Sequence, residues 1–224
     1  RFHDEKLEAL RPPREQQKSF IVPSSGPVEG LQNVQAGAVR RIAKSYEQQG
    51  QAQRIATIDQ DATIIESHKQ AALSHYEGGR GYQPMVAVWA EADLAVADQF
   101  RDGNVPAKQE PLTCAQLAFA ALPGNITARY FRGDSACHES GLMGWLKAPA
   151  RAQEPGGPIG FAVSAVMSAE LQAAVKKVTE KAWKTFGQED DGTLRQWAEV
   201  DFVPGDKSEH KDSHPLRYVG LRLL

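Results

Sequence analysis

Long apolar runs are missing from this chain. No stretch of about 18 consecutive apolar residues occurs, so nothing predicts a membrane-spanning helix. The opening Arg1-Phe2-His3-Asp4-Glu5-Lys6 lacks the apolar centre of a secretory signal. Cysteine is scarce: Cys114 and Cys137 stand far apart with no C-x-x-C spacing. That pattern argues against a disulfide scaffold or a zinc finger and predicts a reducing, cytoplasmic setting. A charge excess is missing too. The 26 Lys+Arg and 28 Asp+Glu give a net charge of -2, unlike a stand-alone nucleic-acid-binding module, which is usually basic.

What is present suits a globular protein. Of 224 residues, 41% are hydrophobic, and 19 glycines bring the apolar share to about half. A chain of this length can bury about 70% of its surface.

Residues 1–30 read as a short helical stretch, Asp4 to Leu10, followed by a linker held open by Pro12-Pro13 and Pro23-Ser24-Ser25-Gly26-Pro27. Leu31, Val34, Gln35, Ala38, Val39, Ile42, Ala43 and Tyr46 recur at helical spacing, and Gly50 ends that helix. The period then shortens. Arg54–Ile65 reads as a strand, and residues 82–89 and 94–100 form a hairpin around Ala90-Glu-Ala-Asp93. A buried helix over 112–122, a strand over 126–131, a short helix over 139–147, a strand over 160–166 and a helix over 169–186 follow. Strands at 197–203 and 216–224 flank a charged loop, 205–214. The order predicts an α/β fold with a mixed sheet. Its expected organisation is a linker over 1–30, a core over 31–186, and the start of a β-rich region over 187–224.

Two segments bring a carboxylate to the end of an apolar strand. Alternation puts Ile55, Thr57, Asp59, Asp61, Thr63 and Ile65 on one face. Asp59 and Asp61 would lie ~6.7 Å apart, repelling by about 2.5 kcal/mol at an effective dielectric near 20. Solvent at a strand end relieves that repulsion; so does a cation. The second segment ends Arg132-Gly133-Asp134-Ser135, where Asp134 could cap a helix or point into a crevice shared with Asp61. Carboxylates from separate strands meeting at one sheet edge are hard oxygen ligands of the kind Mg²⁺ takes. Two such ions can activate a water and stabilise a leaving oxygen in phosphodiester cleavage.

Four motifs occur in order: Thr57-Ile-Asp-Gln-Asp-Ala-Thr63, Gly78-Gly-Arg-Gly-Tyr-Gln-Pro84, Phe100-Arg-Asp-Gly-Asn104 and Arg132-Gly-Asp-Ser135. Together they resemble the bacterial insertion-sequence DDE transposases, closest to the group whose first motif reads D-x-D-A-T. The likeness covers about residues 30–166. It implies a ribonuclease H-like sheet flanked by helices, with a β-rich insertion domain beginning near the end of this chain. It also implies two Mg²⁺ or Mn²⁺ ions per complete site, DNA cleavage and strand transfer at transposon ends, and transposon-end and target DNA as partners. A homodimer of the full-length protein is implied as well. On this likeness Asp61 matches the first catalytic acid and Asp134 the second, with Asp59 as the fallback ligand.

The family's third acid lies in a helix reading Y-x2-R-x3-E-x6-K, and no tyrosine here starts that spacing; Tyr218 reaches Arg222 at the wrong distance. Glu139, Glu199 and Asp201 are other carboxylates, but nothing puts them on such a helix. The expectation is that the third acid lies past Leu224 and that the fragment alone is inactive. The alternative is a non-catalytic remnant of the same fold, acting as a DNA or protein interaction domain.

Other residues carry weaker signals. Gly78–Gly81 lacks the spacing of a phosphate-cradling loop, so it shapes the hairpin entry, with Arg80 a candidate DNA-phosphate contact. Arg101 and Asn104 either hold a turn or touch DNA. The middle of the chain, residues 51–110, carries five Lys/Arg against nine Asp/Glu, so it is no basic groove by itself. Cys137-His138 has no ligand spacing with Cys114 and reads as a buried thiol beside a surface histidine.

Overall fold

The computed structural model describes residues 5–16, 18–204 and 216–224. It divides into two compact units, Arg1–Ala165 and Val166–Leu224. The first runs α1 (Glu5–Glu8), α2 (Gly26–Gln48), β1 (Ile55–Ala62), β2 (Ile65–Glu66), β3 (Leu73–Ser74), β4 (Arg80–Tyr82), β5 (Met85–Trp89), β6 (Leu94–Gln99), α3 (Pro111–Ala121), β7 (Ala128–Gly133), α4 (Ser140–Lys147) and β8 (Ile159–Val163).

The main sheet has the order β6-β5-β1-β7-β8. The first three strands in sequence, β1, β5 and β6, pair antiparallel, and β7 and β8 then join parallel to β1. The expected mixed α/β sheet is therefore present. Alternation sorts the faces. Ala56, Ile58, Met85, Ala87, Trp89 and Phe131 are buried in one core with residues of α2, α3 and α4. The other face carries Thr57, Asp59, Asp61, Val86, Val88, Tyr130 and Arg132, all half-buried or exposed.

Several elements differ from the sequence reading. Helix α2 starts at Gly26 rather than Leu31, because a proline in the first turn needs no amide partner and is tolerated there. Only Val39 and Ala43 of its expected apolar face are buried, while Leu31 and Val34 stay exposed. Part of the expected linker is anchored: Arg11 forms an ion pair with buried Asp102, and Ser19 donates to Gln109 at 2.9 Å.

A second small sheet, of order β2-β4-β3, lies between the expected strand ending at Ile65 and the expected hairpin. Its strands have two or three residues each, too few to show a period. Backbone proximity builds it instead. A Cβ on Gly103 would sit 2.6 Å from the Leu73 carbonyl and 2.7 Å from that of Gly81, and one on Gly81 would strike the Ile65 carbonyl.

The second unit holds α5 (Ala169–Lys176) and a three-stranded antiparallel sheet, β9 (Lys184–Gln188), β10 (Leu194–Val200) and β11 (Tyr218–Leu223), ordered β11-β10-β9. The expected helix over 169–186 is corrected. It stops at Lys176, a single turn covers Glu180–Ala182, and β9 follows. Val178-Thr179 is β-branched and stiff in a helix, and Thr185-Phe186 suits a strand that pairs with β10. The charged loop 205–214 lies outside the described residues.

Candidate functional site

The parallel register of β1 and β7 pairs Asp59 with Arg132 and Gln60 with Gly133. One step further along both strands stand Asp61 and Asp134. Paired positions in a parallel ladder share a face, with strands about 4.8 Å apart, so the two carboxylates rise from neighbouring strand tips. Asp134 keeps extended backbone, with φ −78° and ψ −168°, before the chain turns into Ser135–Cys137. Both aspartates are exposed. They line one open groove of about 510 Å³ together with Asp59, Thr63, Arg132 and Ser164.

Local chemistry explains why each acid sits there. Gly133 is required: a Cβ would meet Cys137 Cβ at 2.7 Å and its Sγ at 2.8 Å, so the turn after the strand can fold back only over a glycine. That turn is capped by Asp134 itself, whose Oδ1 accepts from the Ala136 amide at 2.9 Å. Asp61 Oδ1 likewise accepts from the Ala62 amide at 2.7 Å. Each carboxylate is thus oriented through one oxygen. Its second oxygen has no recorded hydrogen bond among the described residues.

Beneath them lies buried Gln60, its Nε2 donating to the Pro111 carbonyl at 2.9 Å. The Cys137 thiol beside it is pushed up to about 12, first by burial and then by the Asp134 and Asp61 charges. That one thiol feels both carboxylates, as expected if they stand close together.

Asp59, the fallback ligand, is engaged elsewhere. Both its oxygens accept from Arg132, at 2.6 and 2.5 Å. The parallel register creates that pair, and no spacing along the chain announces it. Glu139 caps α4, accepting from the Gly141 and Leu142 amides at 2.8 and 2.9 Å. Burial pulls its carboxyl upward, but those amides and the Ser140 hydroxyl hold it below the ordinary value. Glu199 lies in the second unit, paired with Arg217. Among the described residues, no group of three or more His, Cys, Asp or Glu side chains is arranged to hold a metal ion.

The two cationic candidates are both bonded to protein oxygens, Arg80 at the surface and Arg101 buried. Arg80 donates to the carbonyls of Gln70 and Ala72 at 2.7 and 2.9 Å, holding the loop between β2 and β3 against β4. Arg101 is 1% exposed, bonded to Gln99 Oε1 and to the Ala107 and Glu110 carbonyls. Of its two readings, holding the turn is the one this geometry fits. Asn104 is half-buried in the same turn. Cys114 and Cys137 are free, buried thiols.

Two groups near the site had no signal in the sequence. His75 is buried with both ring nitrogens unpartnered, and Tyr76 beside it is 76% exposed. Both sit on the turn before β4, where composition shows only polar and small residues. No family model matches this chain, and neither does any curated protein sequence.

Proposed function

We propose that the chain carries the first part of a divalent-metal-dependent DNA transposase core, of the DDE type, acting on phosphodiester bonds at transposon ends. The observation that carries this reading is the β1–β7 register, which brings Asp61 and Asp134 side by side although 73 positions separate them in sequence. The mixed five-stranded sheet is compatible with the ribonuclease H-like core that the motif resemblance implies.

The donor set fits a hard cation. Mg²⁺ is held by one or two carboxylates and keeps several waters, and Asp61 and Asp134 each have one oxygen with no recorded protein partner. Bound there, such an ion would supply Lewis acidity and neutralise phosphate charge. The protein's own contribution is orientation: amide bonds aim both carboxylates, and Arg132 balances Asp59, so the groove is less anionic than its three aspartates suggest. A third acid, the second ion, the DNA partners and the homodimer belong to the complete protein that the resemblance implies.

Mn²⁺ titration followed by electron paramagnetic resonance tests the reading. Asp61→Asn and Asp134→Asn should each weaken Mn²⁺ binding by at least about tenfold, the effect of losing one anionic ligand, ~1.4 kcal/mol or more. Wild-type protein that binds no Mn²⁺, or variants that bind it equally well, would overturn it. A second reading has one observation in its favour, the lack of a three-residue ligand group among the described residues. On that reading the fold is a non-catalytic interaction domain. Mn²⁺ binding that fails while the chain still binds transposon-end DNA would support it.

A further inference from the structure

We propose that Tyr76 is a nucleotide-stacking residue, its ring receiving the face of an unpaired base from a strand lying along the Asp61–Asp134 groove. The inference rests on the nucleic-acid reading above and deepens it.

Three observations converge on this residue. The first is position. The small sheet grows from the acid-bearing end of the main sheet: the Thr63 amide donates to the Pro84 carbonyl at 3.0 Å just past the end of β1, and Thr63 lines the groove. The turn His75–Gly79 is therefore carried at the same end as the two carboxylates.

The second is rigidity. The His75 amide donates to the Gly79 carbonyl and the Gly78 amide to the His75 carbonyl, both at 3.1 Å. Gly78 has φ +92°, a conformation that side chains disfavour. The buried His75 ring packs under Gly79 so closely that a Cβ there would lie 2.6 Å from Nε2. Arg80 ties the neighbouring loop together through backbone carbonyls. One exposed ring on so fixed a turn is a pre-organised surface, which lowers the ordering cost of binding.

The third is charge. The Tyr76 hydroxyl is held above its ordinary value by Glu77 first, then by burial and a hydrogen bond to Glu77, with Asp61 and Asp134 adding smaller effects. A hydroxyl in so anionic a field is poorly placed to receive a phosphate. Its ring face remains open, and stacking is indifferent to which base is offered.

Fluorescence anisotropy with fluorescein-labelled oligo(dT), and with a blunt duplex of equal length, tests the proposal on the whole chain in Mg²⁺ buffer. Tyr76→Ala should weaken oligo(dT) binding by about tenfold, the loss of one stacked base. Tyr76→Phe and Tyr76→Trp should bind within about twofold of wild type, because the ring persists. The slope of log K against log salt should be equal in wild type and Tyr76→Ala, since no phosphate contact is removed. Unchanged binding by Tyr76→Ala, an equal loss in Tyr76→Phe, or a slope shallower by about one would overturn the proposal and leave the metal-site reading standing. Wild-type protein that binds duplex but not oligo(dT) would also overturn stacking alone. Wild type that binds neither would remove the nucleic-acid reading itself, whatever Tyr76 does.

Discussion

Asp59 and Arg132 face each other across the parallel pair β1–β7, the guanidinium reaching both carboxylate oxygens at 2.6 and 2.5 Å. The geometry is two-pointed and charge-assisted, and it raises the Arg132 pKa further above its already high value. It also separates the three groove aspartates into one that is neutralised and two that are not.

Asp59→Asn should therefore leave Mn²⁺ affinity within about twofold of wild type, in contrast to Asp61→Asn. The pair is substantially exposed, at 59% and 40%, so its loss should cost under about 1 kcal/mol in urea unfolding. A loss of Mn²⁺ binding in Asp59→Asn as large as in Asp61→Asn would make Asp59 a ligand.

Cys114 and Cys137 should resist thiol reagents in the folded protein. Burial pushes each thiol up to about 12, with Asp98 raising Cys114 slightly and Asp134 adding to the shift of Cys137. Only the thiolate reacts, so Ellman's reagent at mild alkaline pH should label both cysteines after unfolding and neither before. The sign of the linked stability follows. These acids have raised folded pKa values, so their contribution is whole below the ordinary value of 9.0 and is lost as pH climbs towards about 12. Cys114→Ala should show a shallower alkaline decline in unfolding free energy than wild type.

Gly103→Ala should loosen the small sheet and spare the large one. Its Cβ would press on two backbone carbonyls, which cannot swing aside as a side chain can. Overpacking of this kind costs about 1–3 kcal/mol. Hydrogen exchange should accelerate at Leu73, Gly81 and Tyr82 while β1 and β7 amides keep their protection. Unchanged exchange at those three residues would contradict the close approach.

Arg129→Met should destabilise the first unit by about 3 kcal/mol, the scale for leaving two carbonyls without their donor. The Arg129 side chain is 7% exposed, bonded to Glu154 at 2.9 Å, to the Arg151 carbonyl at 2.8 Å and to the Gly157 carbonyl at 3.1 Å. Its loss strands two carbonyls, while Glu154 keeps Arg151. Thermal unfolding measures the effect, and a change under about 1 kcal/mol would contradict it.

Legibility followed element length. The hairpin of β5 and β6 stands out as two strand-like runs around a short polar loop, and the buried helix α3 as a nearly continuous apolar run closed by Pro123-Gly124. The small sheet did not, since strands of two or three residues hold no period and are made by glycines that permit backbone contact. Gly50 marks the end of helix α2, whereas its start precedes the expected Leu31, because a proline that reads as a linker is also a permitted first-turn residue. The stretch from Val178 to Phe186 reads as the end of a helix, yet β10 supplies a strand partner for Lys184–Gln188 that local propensity cannot foresee.

At the site, the amino-acid order alone determined that Asp61 and Asp134 each end an apolar strand. Tertiary structure alone decided that these strands are neighbours, that their register matches the two acids, and that Arg132 takes Asp59 and leaves Asp61 to the groove. It also buried Arg101, tied the exposed Arg80 to backbone carbonyls, and left Tyr76 outward. The physical reason is that side-chain alternation is a local property of one strand, whereas register and partner choice depend on hydrogen bonds between segments far apart in the chain.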